Sequence, residues 1–258
     1  LQAINPNLCI KNDASYHDMY YMNPPAKDLS KIASSDKVKK VQKDFEATHV
    51  RPERLMKTLF TDEAYVKANV DEARLMRRLF DLACNMQSHD TDMQLYSLFT
   101  DEECYDLWSC NNLYWYLTHA CSPVTDGLMP YREADLLRNI LDRADAALKE
   151  GKKQATLRFG HESCLLPLVA LLELNHYGES YPDVEKLSEQ WRAYDIFPMA
   201  SNVQFVFFHK KGSNDVLVKV LLNEKETKLP VKTDVAPYYH WKDVESYYRE
   251  KLDKYQHI

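Results

Sequence analysis

The chain has 258 residues, 45% of them apolar and 12% aromatic, which excludes an intrinsically disordered protein. Its formal charge is −6 and its mean hydropathy −0.53. An acidic total argues against nucleic acid as the main partner, and no stretch reaches the roughly 18–20 apolar residues of a membrane span.

Leu8-Cys9-Ile10 is a candidate short strand, and residues 12–25 read as a loop that carries His17-Asp18-Met19-Tyr20-Tyr21-Met22. A long helical region follows. Residues 36–48 are charged with weak periodicity. Leu75, Leu79, Leu82, Ala83 and Met86 then make one helical face. Thr100-Asp101-Glu102-Glu103 has the pattern of a capping box. The helix it opens is rich in rings, and Tyr105, Trp108, Tyr114, Trp115 and Tyr116 are expected in its core. Pro130 leads into another helix with a stripe of Leu136, Leu137, Ile140, Leu141, Ala144 and Leu148, stopped by Gly151. Residues 156–160 are a predicted strand and 164–174 a helix, with Pro167 in its first turn. Residues 203–208 and 216–222 are strands joined by a turn at 211–215, and 242–255 is a charged amphipathic helix. This order reads as an α/β protein with a thin sheet and a helical insertion of about 130 residues.

Two His–acid pairs compete for a chemical role. His89-Asp90 falls between helices with no strand before it and reads as a loop. His161-Glu162 follows a predicted strand and precedes an apolar helix, where ligands collect in open α/β sheets. A helix N terminus there offers free N–H groups and the positive end of a dipole to an anion such as phosphate. No GxSxG, P-loop or HExxH pattern accompanies the pair, and no second histidine lies four residues beyond His161, so no metal site is expected. The other histidines, His119, His176, His209 and His240 among them, are read as surface or hydrogen-bonded residues. Cys9, Cys84, Cys104, Cys110, Cys121 and Cys164 lack CxxC or zinc spacing and are read as free thiols. A disulfide among Cys104, Cys110 and Cys121 is the alternative in an exported protein.

The Gly160-His161-Glu162 unit resembles the second catalytic motif of the histidine acid phosphatases (histidine phosphatase superfamily, branch 2), most closely their multiple inositol polyphosphate phosphatase branch. Residues 14–22, 95–100, 110–116, 158–161 and 199–205 are similar to that branch as well, so the likeness runs from about residue 8 to 255. It implies an incomplete phosphoglycerate-mutase-like three-layer α/β core with a large helical insertion. The core would hold residues 1–25 and 155–225, the insertion 26–154, and a tail with its helix 226–258. It implies phosphomonoester hydrolysis through a phosphohistidine, without cofactor, on small phosphorylated substrates such as inositol polyphosphates. His161 resembles the phosphate-binding histidine and Glu162 the proton donor, while His17 and Tyr20 are expected to line the substrate pocket.

The sequence departs from the family pattern in two places. Glu162-Ser163 stands where relatives carry Asp-Thr or Ala-Glu, and no Arg-His-Gly-x-Arg-x-Pro nucleophile motif is present. The expectation is a C-terminal part of a longer phosphatase, inactive and poorly soluble by itself. The alternative is a catalytically inactive binding or scaffold relative. No signal peptide is visible, and an exported, periplasmic or outer-membrane location is implied by the resemblance alone.

Overall fold

A computed structural model describes residues 3, 19–22, 26–152 and 154–255. After a 3-10 turn at Tyr20–Met22 come α1 (Lys27–Ala33), α2 (Asp36–His49), α3 (Glu53–Leu59), α4 (Glu63–Asn69), α5 (Glu72–Asn85), α6 (Asp101–His119), α7 (Ala134–Glu150), α8 (Glu162–Leu171), α9 (Leu187–Gln190) and α10 (Ala193–Ile196). Strands β1 (Val203–His209), β2 (Val216–Leu222), β3 (Lys225–Glu226) and β4 (Tyr239–His240) follow, and α11 (Trp241–Lys254) ends the order. The chain divides into two compact units. One is helical, Leu29–Met129 with Glu179–Ile196. The other takes Leu1–Asp28, Pro130–Gly178 and Phe197–Ile258, and so includes α7.

The helical unit is organised around α6. Thr100 accepts from the Glu103 amide while the Glu103 carboxylate accepts from the Thr100 amide, the reciprocal cap that the sequence predicts. Glu103 also receives a bidentate pair from Arg54, and Arg51 reaches Glu102 and Asp106. Burial raises the Glu103 pKa, but Arg54 and the Thr100 amide outweigh it and hold the carboxyl below its ordinary value. Leu107, Leu113, Tyr116 and Leu117 form the buried side of α6. Of the five rings expected there, Tyr116 alone is buried. Tyr105 is 52% and Tyr114 41% exposed, because helical spacing turns them onto the outer face. On α5 the buried residues are Met76 and Ala83, and Leu82 is exposed. The inward stripe therefore runs through Met76 and Ala83, rotated from the predicted face.

The second unit pairs a small antiparallel sheet with α7, α8 and α11. β1 and β2 form a hairpin in register from Val203 opposite Leu222 to His209 opposite Val216, and Gly212 takes φ 82° in its turn. β3 and β4 pair with β2 as well, both antiparallel. Val218, Val220 and Leu222 point into the core. α7 buries Leu136, Leu137, Leu141 and Ala144 and ends at Gly151 in the left-handed conformation, as its sequence predicts. The predicted strand at 156–160 is absent: the segment has no regular secondary structure. A strand needs a neighbour to share its ladder, and no described strand flanks this one. The candidate strand at 8–10 lies outside the described residues.

α8 is buried nearly all round, through Cys164, Leu166, Leu168, Val169, Ala170 and Leu171. Pro167 is its sixth residue rather than part of its first turn, so the Ser163 carbonyl loses its i+4 donor. The other end is closed by α11. The Tyr248 hydroxyl donates to the Leu172 carbonyl at 2.7 Å, and Lys251 Nζ donates to the Leu171 carbonyl at 2.7 Å. Both donors satisfy carbonyls that a helix terminus leaves open, and the lysine complements the negative end of the helix dipole.

His240 stands between two carboxylates, with Nδ1 3.0 Å from Asp215 and Nε2 3.0 Å from Asp234. Asp215 and then Asp234 raise its pKa above 6.5. A raised folded-state value contributes stability that is complete below about pH 6.5 and fades as pH rises through the folded value. The urea midpoint is therefore expected to fall between pH 6 and 8.5. His240→Gln should remove that part of the slope, and an unchanged slope in the variant would contradict the assignment.

Candidate active site

His161 is the N-cap of α8, with extended backbone at φ −114° and ψ 165°. Its carbonyl accepts from the Cys164 amide at 3.0 Å and the Leu165 amide at 3.1 Å, which starts the helix. Its ring makes no cap bond and lies exposed, as does the Glu162 side chain. Among the described residues neither side chain takes part in an ion pair or a side-chain hydrogen bond. The amides of Glu162 and Ser163 come too early in the helix for any intrahelical carbonyl to reach them. An otherwise buried helix thus surfaces at its N terminus, where it offers an imidazole, a carboxyl and two amides that have no partner among the described residues.

The approach to this terminus is held from behind. Arg158 is half-buried, and its guanidinium donates to Asn139 Oδ1 on α7 at 2.7 Å. Burial lowers its pKa, while Tyr21 opposes that through charge and a hydrogen bond. A Cβ at Gly160 would sit 3.3 Å from the Met22 Cε, so the turn at Tyr20–Met22 rests against the residue before His161. That turn also packs on α7. Leu157 and Phe159 face outward, 66% and 87% exposed, and among residues 154–160 Arg158 alone is not exposed.

Of the predicted site residues, His161 and Glu162 share the helix terminus. Tyr20, 56% exposed, lies in the turn that touches Gly160. His17 lies outside the described residues. His89-Asp90 is an exposed loop after α5, as read from the sequence. His209 bonds the Ser213 carbonyl within its hairpin. Asn202 spends its side chain on Ala200, Glu224 and Gln204, which marks it as a loop brace. The cavity of about 20 Å³ beside Ser109 and Asn112 has room for one water and none for a phosphate ester. Among the described residues no three His, Cys, Asp or Glu side chains converge as metal ligands, and no helix is long and apolar enough to cross a membrane.

Sequence reasoning missed Glu133. It is 1% exposed at the N-cap of α7, its Oε2 has no hydrogen-bond partner, and it acts electrostatically on the Cys164 thiol in the first turn of α8. In the sequence it looks like an ordinary acid near a helix start. Burial pushes its carboxyl up to about 8, so it is neutral at pH 7. An acid with a raised folded-state value costs stability as pH rises from about 4.5 toward that value. Glu133→Gln is expected to stabilise the protein by about 2–3 kcal/mol at pH 7 and by little at pH 4. Chemical denaturation at both pH values tests this, and equal effects would refute it.

The sequence matches the histidine phosphatase superfamily (branch 2) over residues 10–223. The chain belongs to this superfamily. Human multiple inositol polyphosphate phosphatase 1 is 28% identical over 134 residues, 47% of this chain and 27% of that protein. Crystal structures of the Bifidobacterium longum multiple inositol polyphosphate phosphatase share the superfamily fold. The phosphate complex has TM-score 0.60 at 19% identity, covering 92% of this chain and 58% of that one. The inositol hexasulfate complex has TM-score 0.55 at 18% identity, covering 94% and 59%. The chain therefore spans just over half the length of these superfamily structures, and about a quarter of the human protein.

Proposed function

We propose that His161 and Glu162 are half of a phosphomonoesterase site that acts on inositol polyphosphates. The observation that carries this reading is the exposed His161-Glu162 pair at the unpaired N terminus of buried α8. The superfamily match and the named substrates of its relatives support it. In this reading the His161 imidazole and the Glu162 and Ser163 amides hold the phosphoryl oxygens, where negative charge builds up during transfer. A nucleophilic histidine, carried by the same protein in sequence before Leu1, forms a bond to phosphorus as the bond to the inositol oxygen breaks. The Glu162 carboxylic acid gives its proton to that leaving oxygen. Water then attacks the phosphohistidine, and the Glu162 carboxylate takes up the proton released. No cofactor is required. Tyr20 and His17 border the inositol ring, and export to the periplasm or outer membrane fits the family resemblance.

The test is hydrolysis of inositol hexakisphosphate by the 258 residues alone and by the protein expressed with its in-frame upstream sequence. The proposal expects turnover only from the second. An upstream sequence without Arg-His-Gly, together with binding but no turnover, would instead favour a binding or scaffold relative.

A further inference from the structure

Helix α8 fixes His161 from one side only. The Cys164 and Leu165 amides hold its carbonyl, while its ring makes no side-chain hydrogen bond among the described residues. The direction of its Cα–Cβ bond therefore depends on the chain that arrives at its nitrogen. Little holds that chain. Residues 154–160 have no regular secondary structure, and among the described residues no backbone hydrogen bond ties them to another element. Two side contacts remain, and both lead to α7 within the same compact unit. Arg158, half-buried and three residues before His161, donates to Asn139 Oδ1 at 2.7 Å. Gly160 lies against Met22, in the Tyr20–Met22 turn that packs on α7. Only the first contact is directional. A hydrogen bond constrains angle as well as distance, whereas Met22 reaches Gly160 with the mobile end of its side chain.

We propose that Arg158 and Asn139 are positioning residues that aim the His161 imidazole, an inference that rests on the reading of His161 as a phosphoryl ligand. Neither residue needs to touch substrate. Asn139 fixes the line of the incoming segment on α7, and the segment fixes the His161 nitrogen. A misplacement of about 1 Å costs up to about 10²-fold in rate when the displaced group must meet a reacting centre. Ground-state binding of the phosphate, which the ring shares with the α8 amides, changes less. The pair therefore acts on kcat more than on KM.

The experiment compares Asn139→Leu with Asn139→Asp. Leucine has nearly the shape of asparagine but no acceptor, and aspartate keeps the acceptor with a charge that suits the guanidinium. The first readout is amide 15N relaxation in the 258-residue chain, which needs no turnover. Asn139→Leu should lower the order parameters of residues 158–161 from about 0.85 to below about 0.6. Those of Cys164–Leu171 should hold, and Asn139→Asp should restore the rest. The second readout is hydrolysis of inositol hexakisphosphate by a protein that also carries the nucleophile motif. Asn139→Leu should lower kcat about 10–100-fold with KM within about threefold, and Asn139→Asp should recover it. Order parameters unchanged in Asn139→Leu, or lost equally along α8, would overturn the proposal, as would an unchanged kcat. Absence of turnover in the parent protein would instead sink the phosphatase reading, and the relaxation data would still decide whether Asn139 holds His161.

Discussion

Replacing His161 with alanine is expected, on the proposed reading, to lower kcat/KM for inositol hexakisphosphate by about 10²–10³-fold in a protein that also carries the nucleophile motif. The size follows from losing one fixed donor to a phosphoryl group whose charge develops during transfer. The ring is exposed and makes no side-chain hydrogen bond among the described residues, so the unfolding midpoint should stay put. That combination separates lost chemistry from lost structure. Glu162→Gln should cost about 10²-fold on the same substrate. It should cost much less on p-nitrophenyl phosphate, whose leaving group departs without a proton. Equal losses on both substrates would remove Glu162 from the proton-donor role and turn attention to Ser163. Full activity in His161→Ala would end the site assignment.

The second large effect concerns stability. Tyr248 is fully buried, and its hydroxyl closes the Leu172 carbonyl at the far end of α8. Tyr248→Ala should destabilise the protein by about 3–5 kcal/mol, as expected for removal of a buried aromatic ring. Tyr248→Phe keeps the packing but leaves the carbonyl unpaired, and should cost about 1–3 kcal/mol. Denaturant midpoints measure both. A phenylalanine variant as unstable as the alanine variant would mean that the hydroxyl, not the ring, carries the contact.

Local signals in the sequence translated well into structure. The Thr100–Glu103 cap, the Gly151 stop, the stripe on α7 and the hairpin around Gly212 depend on residues close in sequence, and all four are present. Signals that depend on distant neighbours fared worse. Residues 156–160 carry strand-like composition but have no described strand beside them. The rings of α6 were sorted by a packing environment that spacing alone does not reveal, and the α5 stripe is rotated for the same reason. In the candidate site, His161 and Glu162 stood out because a glycine and an apolar helix frame them. Arg158, Asn139 and Glu133 did not, since their roles come from α7 packing against residues some 20–30 positions away.

The closure of α8 by α11 also sets an order in time. Leu172 and its donor Tyr248 are 76 positions apart, and Leu171 and Lys251 are 80 apart. At about 5–20 residues per second, a ribosome delivers the donors about 4–15 s after it makes the carbonyls they close. During that interval the helix that presents His161 has an open end and little reason to settle. The terminus that carries His161 is therefore among the last features of this unit to mature, and a nascent chain stalled before α11 would display His161 on a helix not yet locked in place.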